Sequence, residues 1–175
     1  VGGEFTNLSN NGVINPAADY IAKWDGTNWS NLGGAPFGLN GSLNGAVNSI
    51  AVSGSNIYVG GNFTDVNNNG GILTAADYIT KWNGTNWSAL GSTVALNAPV
   101  NALAVKSNFV YVGGSFQNAG GISAADYFAK FDTVFNGWSS LGNNGLPSNG
   151  SLNSSVYAIA LQGDYIYVGG AFTNV

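Results

Sequence analysis

Low charge is the first constraint on this chain of 175 residues, of which 7% are charged, with 4 basic and 8 acidic side chains and a net charge of −4. Four Lys and no Arg cannot form the basic stripe that binds nucleic acid or a polybasic membrane surface. The lack of Cys and His excludes a disulfide framework, thiol chemistry and a Ser-His-Asp triad. No apolar run approaches the ~20 residues that span a bilayer, so we expect no membrane insertion.

A short motif, Tyr-Val-Gly-Gly-x-Phe, recurs at intervals of roughly 53 to 58 residues. A period of this size predicts stacked or radially arranged structural units. The predicted repeats cover approximately residues 1–58, 59–111 and 112–167, with the start of a fourth at 168–175, in one continuous array. The motif occurs, complete or in part, at Val1–Phe5, Tyr58–Phe63, Tyr111–Phe116 and Tyr167–Phe172.

The segment from Val47 to Leu90 shows what one repeat contains. β-branched and aromatic residues form four runs, and Gly, Asn and Ser separate them, which predicts short strands joined by turns. The Gly pair in the second run predicts close backbone packing or a bulge, and Asn83-Gly84 predicts a tight type I′ turn. The predicted strands are Val47–Val52, Ile57–Phe63, Tyr78–Trp82 and Trp87–Gly91.

The other repeats carry the same elements. First strands are predicted at Val100–Val105 and Val156–Leu161, and hairpin connections contain Asp25-Gly26 and Asn136-Gly137. Four antiparallel strands per ~55 residues match a propeller blade, and no segment keeps a helical period. We therefore predict an all-β fold, a β-propeller-type array of four-stranded antiparallel blades with about three repeats.

These motifs resemble kelch-type propeller repeats. The resemblance is to the repeats of secreted bacterial proteins and of the fungal cortical polarity marker, which are related to the central domain of galactose oxidase. It covers essentially the whole chain and implies the propeller fold, but not the copper chemistry, because the chain lacks imidazole and thiolate ligands. It rests on Tyr-Val-Gly-Gly-x-Phe, Ala-Asp-Tyr-Ile-x-Lys-Trp, Gly-Thr-Asn-Trp-Ser-x-Leu-Gly and Val-Asn-x-Ile/Leu-Ala-Val.

Three repeats raise a question of closure, because propellers have four to eight blades. Open sheet edges invite pairing with another chain. We expect either additional blades of the same chain or self-association, so that the repeats belong to a larger ring or assembly. Since Val168–Asn174 echoes Val1–Asn7, we also expect the sequence to be a piece of a continuing pattern.

Acidic residues are few, and three of the eight occupy one equivalent repeat position, each four residues before a Lys. Paired carboxylates for glycoside hydrolysis are therefore disfavoured, and we predict no catalysis and no cofactor. We expect these Asp residues to organise a turn through backbone bonds, with each Lys at a solvated rim. A repeated ligand-binding ring is the alternative. The pairs are Asp19–Lys23, Asp77–Lys81 and Asp126–Lys130.

The segment Asp65–Gly70 matches the start of a calcium-binding loop. The twelfth position is Ala76 rather than Glu, and the equivalent loops Asn7–Gly12 and Gln117–Gly121 do not keep the pattern. An Asn-rich turn is therefore favoured over a calcium site, and we predict no bound metal.

Repeated aromatic residues are the candidates for ligand binding. Flat indole faces beside Asn and Gly can stack on sugar rings, whereas repeated aromatics also fill the space between adjacent sheets. Packing is favoured, and carbohydrate binding is the alternative. The candidate glycan-binding residues are Trp24, Trp29, Trp82, Trp87 and Trp138, with Phe131 at the position of Trp24 and Trp82.

Eight Asn-x-Ser/Thr sequons are candidate N-glycosylation sites. Asn28 and Asn86 lie beside predicted hairpin tips and are the favoured acceptors among them. The acceptor residues are Asn7, Asn28, Asn40, Asn62, Asn83, Asn86, Asn149 and Asn153.

Together these patterns predict a non-catalytic structural or surface-display protein, located outside the cell or at the cell surface. Its blades would bury apolar faces between them and present polar loops outward, and association through blade edges would build a filament or surface layer. A carbohydrate-binding propeller module is one alternative. A non-catalytic propeller attached to an enzyme domain is another.

Overall fold

The computed structural model describes residues 1–33, 41–91, 96–142 and 150–173, which we call units 1, 2, 3 and 4. These residues form sixteen strands and one 3-10 turn, so the all-β prediction is confirmed. No helix in the described ranges is long and apolar enough to cross a membrane. The sequons at Asn40 and Asn149 lie outside the described residues.

The described strands are two to seven residues long. Unit 1 contains β1 (Leu8–Asn10), β2 (Val13–Asn15), β3 (Lys23–Trp24) and β4 (Trp29–Ser30). Unit 2 contains β5 (Val47–Ser53), β6 (Asn56–Gly61), β7 (Val66–Asn68), β8 (Gly71–Leu73), β9 (Ile79–Trp82) and β10 (Trp87–Ser88). Unit 3 contains β11 (Val100–Lys106), β12 (Phe109–Gly114), the 3-10 turn Ala119–Gly121, β13 (Phe128–Asp132) and β14 (Gly137–Ser140). Unit 4 contains β15 (Val156–Gln162) and β16 (Tyr165–Gly170).

Units 2 and 3 each form one four-stranded antiparallel sheet. The strand orders are β5-β6-β9-β10 and β11-β12-β13-β14, and the hairpin β7–β8 is inserted between β6 and β9. Unit 1 holds the hairpin β3–β4 and a single bridge between Gly2 and Ile21. Among the described strands, β16 pairs only with β15. The described chain therefore has two complete sheets between two partial ones.

The turn after β3 differs from the predicted type I′ turn. Trp24 pairs with Trp29, so the loop has four residues rather than two. Gly26 has a φ of 103°, but Asp25 is not among the residues with positive φ, as a type I′ turn would require. The carboxylate of Asp25 instead accepts the two backbone N–H groups that follow Gly26, at 2.8 and 2.7 Å. The side chain of Asn83 makes the equivalent bonds in unit 2.

In each of the first three units, a Tyr with a left-handed backbone conformation lies at the start of the segment that holds the third strand of the sheet. Tyr20, Tyr78 and Tyr127 have φ values of 62, 63 and 60°. Their N–H groups donate to the carbonyl of the motif Phe at 2.8, 2.9 and 2.8 Å. Their carbonyls accept from the second motif Gly at 3.0, 3.0 and 2.9 Å. Positive φ is unusual for a bulky residue, so these two bonds hold the backbone in that conformation.

Both hydrophobic clusters lie between consecutive units rather than inside one. Ile21 and Leu32 of unit 1 pack with Val47, Phe63 and Trp87 of unit 2. The second cluster joins units 2 and 3 in the same way; it includes Tyr58, Ile79, Leu90, Val100, Leu103, Val112, Phe116 and Phe131. Each cluster therefore joins the apolar surface of one unit to that of its neighbour, as in repeat proteins.

The closest approach at each interface sets a Val against the first Gly of the motif in the preceding unit. A Cβ added to that Gly would lie closer than 3.0 Å to the Val side chain, a distance that real Cβ atoms do not show. The prediction of close packing at the Gly pair is confirmed. The three contacts are Gly2–Val47, Gly60–Val100 and Gly113–Val156.

Replacement of Gly60 by Ala tests this contact. Because Val100 is completely buried, we expect Gly60→Ala to lower the free energy of unfolding by about 1–3 kcal/mol through overpacking. Gly137→Ala is the control, since its Cβ would meet only a carbonyl oxygen at 3.9 Å, and a change within about 0.5 kcal/mol is expected there. Urea unfolding at low protein concentration measures both; equal effects would contradict the steric account.

Candidate functional site

An aromatic pair lies across the last hairpin of each of the first three units. The ring centroids are 5.0 Å apart for Trp24–Trp29, 5.2 Å for Trp82–Trp87 and 5.2 Å for Phe131–Trp138. Each pair joins directly opposed residues of two strands, where aromatic side chains stabilise a sheet. The structure thus brings the candidate glycan-binding residues together two by two.

The preceding unit covers the pairs of units 2 and 3. The indole N–H of Trp87 donates to the carbonyl of Leu32 at 2.8 Å, and that of Trp138 donates to Leu90 at 3.2 Å. Trp87 is only 2% exposed and so presents no face to a sugar. These indoles fasten one unit to the next.

The pair of unit 1 is open, because no described unit precedes it. Trp24 is 49% exposed and Trp29 is half-buried. Of the aromatic pairs in the candidate set, Trp24–Trp29 is the most accessible. Sugar binding at this pair stays a prediction.

Asparagine amides lie beside Trp29 of this open pair. The side-chain oxygen of Asn28 lies 3.4 Å from the side-chain nitrogens of Asn10 and Asn11, and the side-chain oxygen of Asn10 accepts the N–H of Trp29 at 3.2 Å. A groove of about 490 Å³ runs beside them and is also lined by Val13. The site therefore combines an apolar ring with hydrogen-bonding groups.

Every sequon Asn within the described residues is exposed. The oxygen of Asn86 accepts from Asn69 at 3.1 Å, and the oxygen of Asn83 accepts two backbone N–H groups. Asn153 bonds Thr173 through both its oxygen and its nitrogen. Glycan occupancy stays a prediction at these positions: Asn7, Asn28, Asn62, Asn83, Asn86 and Asn153.

The three repeated Asp residues bond to backbone rather than line a common site. In each unit one carboxylate oxygen accepts an N–H from the loop after the motif Phe, at 2.7, 2.8 and 2.8 Å. The expected bonds to backbone are present, but each joins the Asp to a preceding loop rather than closing a local turn. The bonds join Asp19 to Asn7, Asp77 to Asp65 and Asp126 to Asn118.

The calcium-like segment forms the hairpin β7–β8. Its Asn oxygens are engaged by backbone: Asn67 accepts from Gly70 at 2.8 Å, and Asn68 accepts from Trp87 at 2.9 Å. Over the described ranges, no three His, Cys, Asp or Glu side chains cluster as a metal site would require. The favoured Asn-rich turn accounts for these residues.

A second open surface lies at the other end of the chain, along β16. Tyr167 is 53% exposed, whereas its equivalents Tyr58 and Tyr111 are 3% and 7% exposed. Tyr165 is 71% exposed, and its ring lies 6.5 Å from that of Tyr167. The sequence predicted open sheet edges but not which copy of the motif is exposed, because the motif is the same where a third strand covers it and where none does.

Electrostatic effects at these surfaces are local. The N–H groups of Asn28 and Thr27 lower the pKa of the Asp25 carboxyl below its ordinary value. Between units 3 and 4, the hydrogen bond and charge of Lys106, 2.8 Å away, lower the pKa of Asp164. Both carboxylates are fully exposed, so their contribution to stability is small.

Comparison with known proteins adds little to this description. No family model matches the chain, and no curated protein matches it. A solved structure that is similar to it is the crystal structure of the computationally designed Ika4 protein, with 15% identity and a TM-score of 0.38. The match covers 82% of this chain and 96% of that chain. Similarity at this level carries no argument about fold or function.

Asp25 gives a pH-dependent prediction. Because its pKa is lowered in the folded state, its contribution is present above the ordinary Asp pKa of about 3.9 and is lost as pH falls through the folded value. Asp25→Asn keeps the accepting oxygen, as Asn83 does in unit 2, but cannot titrate. We expect the free energy of unfolding to fall less on acidification for Asp25→Asn than for the wild type. Parallel urea titrations from pH 6 downward measure the difference; coincident curves would contradict it.

Proposed function

We propose that the chain is a non-catalytic structural repeat protein that associates through the sheet edges of its two end units. The observation that carries this proposal is the contrast between equivalent residues. Tyr58 and Phe131 are 3% and 4% exposed where a neighbour covers them, but their equivalents Tyr167 and Trp24 are 53% and 49% exposed in the end units. Exposed aromatic residues beside an open sheet edge favour pairing with another chain.

We propose further that each complete unit is a propeller-type blade. The up-and-down order β5-β6-β9-β10 and the apolar clusters between successive sheets support this assignment. The resemblance of the repeat motifs to kelch-type repeats agrees with it. The end units would then be part-blades whose missing strands come from additional blades or from another copy.

The proposed location is outside the cell or at its surface. The support is compositional: the sequon Asn residues within the described ranges are exposed, and glycans on them would be compatible with surface display. A filament or surface layer is the form of assembly that open edges at both ends favour, since head-to-tail contacts do not have to close.

Self-association is tested by light scattering across protein concentration. We expect the wild-type mass to rise with concentration, and Trp24→Ala to weaken association roughly tenfold, which corresponds to about 1.4 kcal/mol of lost aromatic burial. Phe135→Ala is the matched control, because Phe135 is 85% exposed but lies in the hairpin loop of unit 3. A wild type that stays monomeric up to millimolar concentration, or equal effects of both variants, would refute the proposal.

Carbohydrate binding is the second candidate function, and the open pair in unit 1 is the observation that favours it. Trp24 offers an exposed indole, and its partner Trp29 lies beside the amides of Asn10 and Asn11. Sugars bind through such combinations of ring face and hydrogen bonds.

A glycan array separates the two functions. If unit 1 binds sugar, the wild type should retain specific glycans at concentrations where it is monomeric, and Trp24→Ala and Trp29→Ala should lose them. Phe135→Ala should bind like the wild type. If the wild type retains no glycan, or if the Trp variants retain the same glycans, carbohydrate binding is refuted and self-association is the remaining proposal.

A further inference from the structure

The two end units hold complementary halves of one sheet. Unit 4 has β15 and β16, the counterparts of the first two strands of units 2 and 3. Unit 1 has β3 and β4, the counterparts of the last two. A complete sheet would result if β16 lay beside β3, as β6 lies beside β9.

The motif Phe shows that each half is incomplete. It is completely buried in units 2 and 3 but only half-buried in units 1 and 4. In a complete unit, the residues after this Phe are tied to two loops. The residue after it bonds to an Asn before the first strand, and the next residue bonds to the Asp before the third strand. Unit 4 retains the first tie, Thr173 to Asn153, and unit 1 retains the second, Asn7 to Asp19.

A groove in unit 1 marks the position of the missing strands. Its volume is about 240 Å³, and it runs between Ile21 and Trp24 on one side and Ile50 and Val52 of β5 on the other. Trp24 and Val52 are 49% and 64% exposed there. Between units 2 and 3 the equivalent space holds Tyr58 of β6, which is 3% exposed and packs with Ile79 and Leu103. Tyr167 of β16 is the residue of unit 4 that corresponds to Tyr58.

We propose that the hairpin β15–β16 of one copy inserts beside Ile21–Trp24 of a second copy, so that two copies joined head to tail complete one four-stranded unit. This inference rests on the proposed self-association and specifies its geometry. The occupant of the groove is a second copy because unit 4 carries the matching strands with the same motif and the same register features as the internal units. The new interface continues the series of internal ones.

The internal sheets set the register of the joint. Tyr58 lies opposite Lys81, and Tyr111 opposite Lys130, so Tyr167 will lie opposite Lys23 of the second copy. Lys130 lies 4.4 Å from the ring centroid of Phe109, whose counterpart in unit 4 is Tyr165. The ammonium of Lys23 is therefore positioned over the Tyr165 ring of the other copy, a cation–π contact.

Insertion requires the incoming strand to replace Val1–Thr6, which now lies in part of that position. Val168–Thr173 has the same residue at five of the six positions, with Ala171 in place of Glu4. The exchange therefore re-forms the backbone bonds it breaks. Tyr165–Tyr167 has no counterpart in unit 1, so these residues add pairing that unit 1 alone does not have. The balance favours displacement, as in β-strand addition.

Disulfide trapping tests the register, since the chain has no Cys of its own. Tyr167→Cys and Lys23→Cys are mixed as separate proteins and oxidised, and the linked peptides are identified by mass spectrometry. Directly opposed residues lie within disulfide range. The control uses Tyr157→Cys in place of Tyr167→Cys. Tyr157 is 60% exposed but lies on β15, away from the joint. We expect the 167–23 link in at least tenfold excess over 157–23; equal yields, or an exclusively intrachain link in the double variant, would overturn the inference.

The variant Gly169→Ala tests the same joint without a covalent bond. In the free chain a Cβ on Gly169 would meet only Ala158, at 4.0 Å, so the monomer tolerates Gly169→Ala. In the joint this Cβ would meet Val47 of the second copy, as Gly60 meets Val100. We expect at least a tenfold loss of association by light scattering, with an unchanged Tm at low concentration. Wild-type association without the 167–23 link and without this loss would refute the joint alone, whereas a monomeric wild type would refute the proposed function as well.

Discussion

The close approach of a Val to a Gly in the preceding unit is the contact on which the rest of the structure depends. Only a residue without Cβ leaves room for the Val side chain, and this sets how closely the second strand of one unit approaches the first strand of the next. At that distance Asn48 reaches the carbonyl of Val100, and Asn101 reaches that of Val156, each at 3.0 Å. The same spacing brings the indole N–H of one unit to a carbonyl of the one before.

Much of the fold follows from residue type alone. The run Val47–Val52 became β5, Val47–Ser53, because β-branched side chains suit a pleated strand and the residues that follow it suit a turn. The Gly pair was readable because a strand gains nothing from Gly unless another backbone or side chain comes close. The role of Asp77 was readable because a short carboxylate beside a turn bonds to backbone N–H groups.

Other features depend on information that a local pattern lacks. Tyr78 adopts positive φ because two backbone bonds from distant positions over-determine it, and nothing in Ala-Asp-Tyr predicts that for an aromatic residue. The loop after Trp24 has four residues because Asp25 accepts two N–H groups, an arrangement that Asp-Gly does not distinguish from a two-residue turn. The sequence could not predict which aromatic pair is accessible, because identical motifs are buried where a neighbouring unit covers them and exposed where none does. Trp87 and Trp29 differ in that alone.

The recurrence of one interface also bears on how such a chain changes length. Each junction uses the same residue types at the same places, so a unit copied in tandem arrives with both of its mating surfaces already matched. Internal duplication or loss of about 55 codons would leave every remaining junction intact. The number of units can then change without disrupting the junctions, whereas the residues of the junction cannot change freely. A lone substitution at a motif Gly would have to be matched by its neighbour before it could spread along the array.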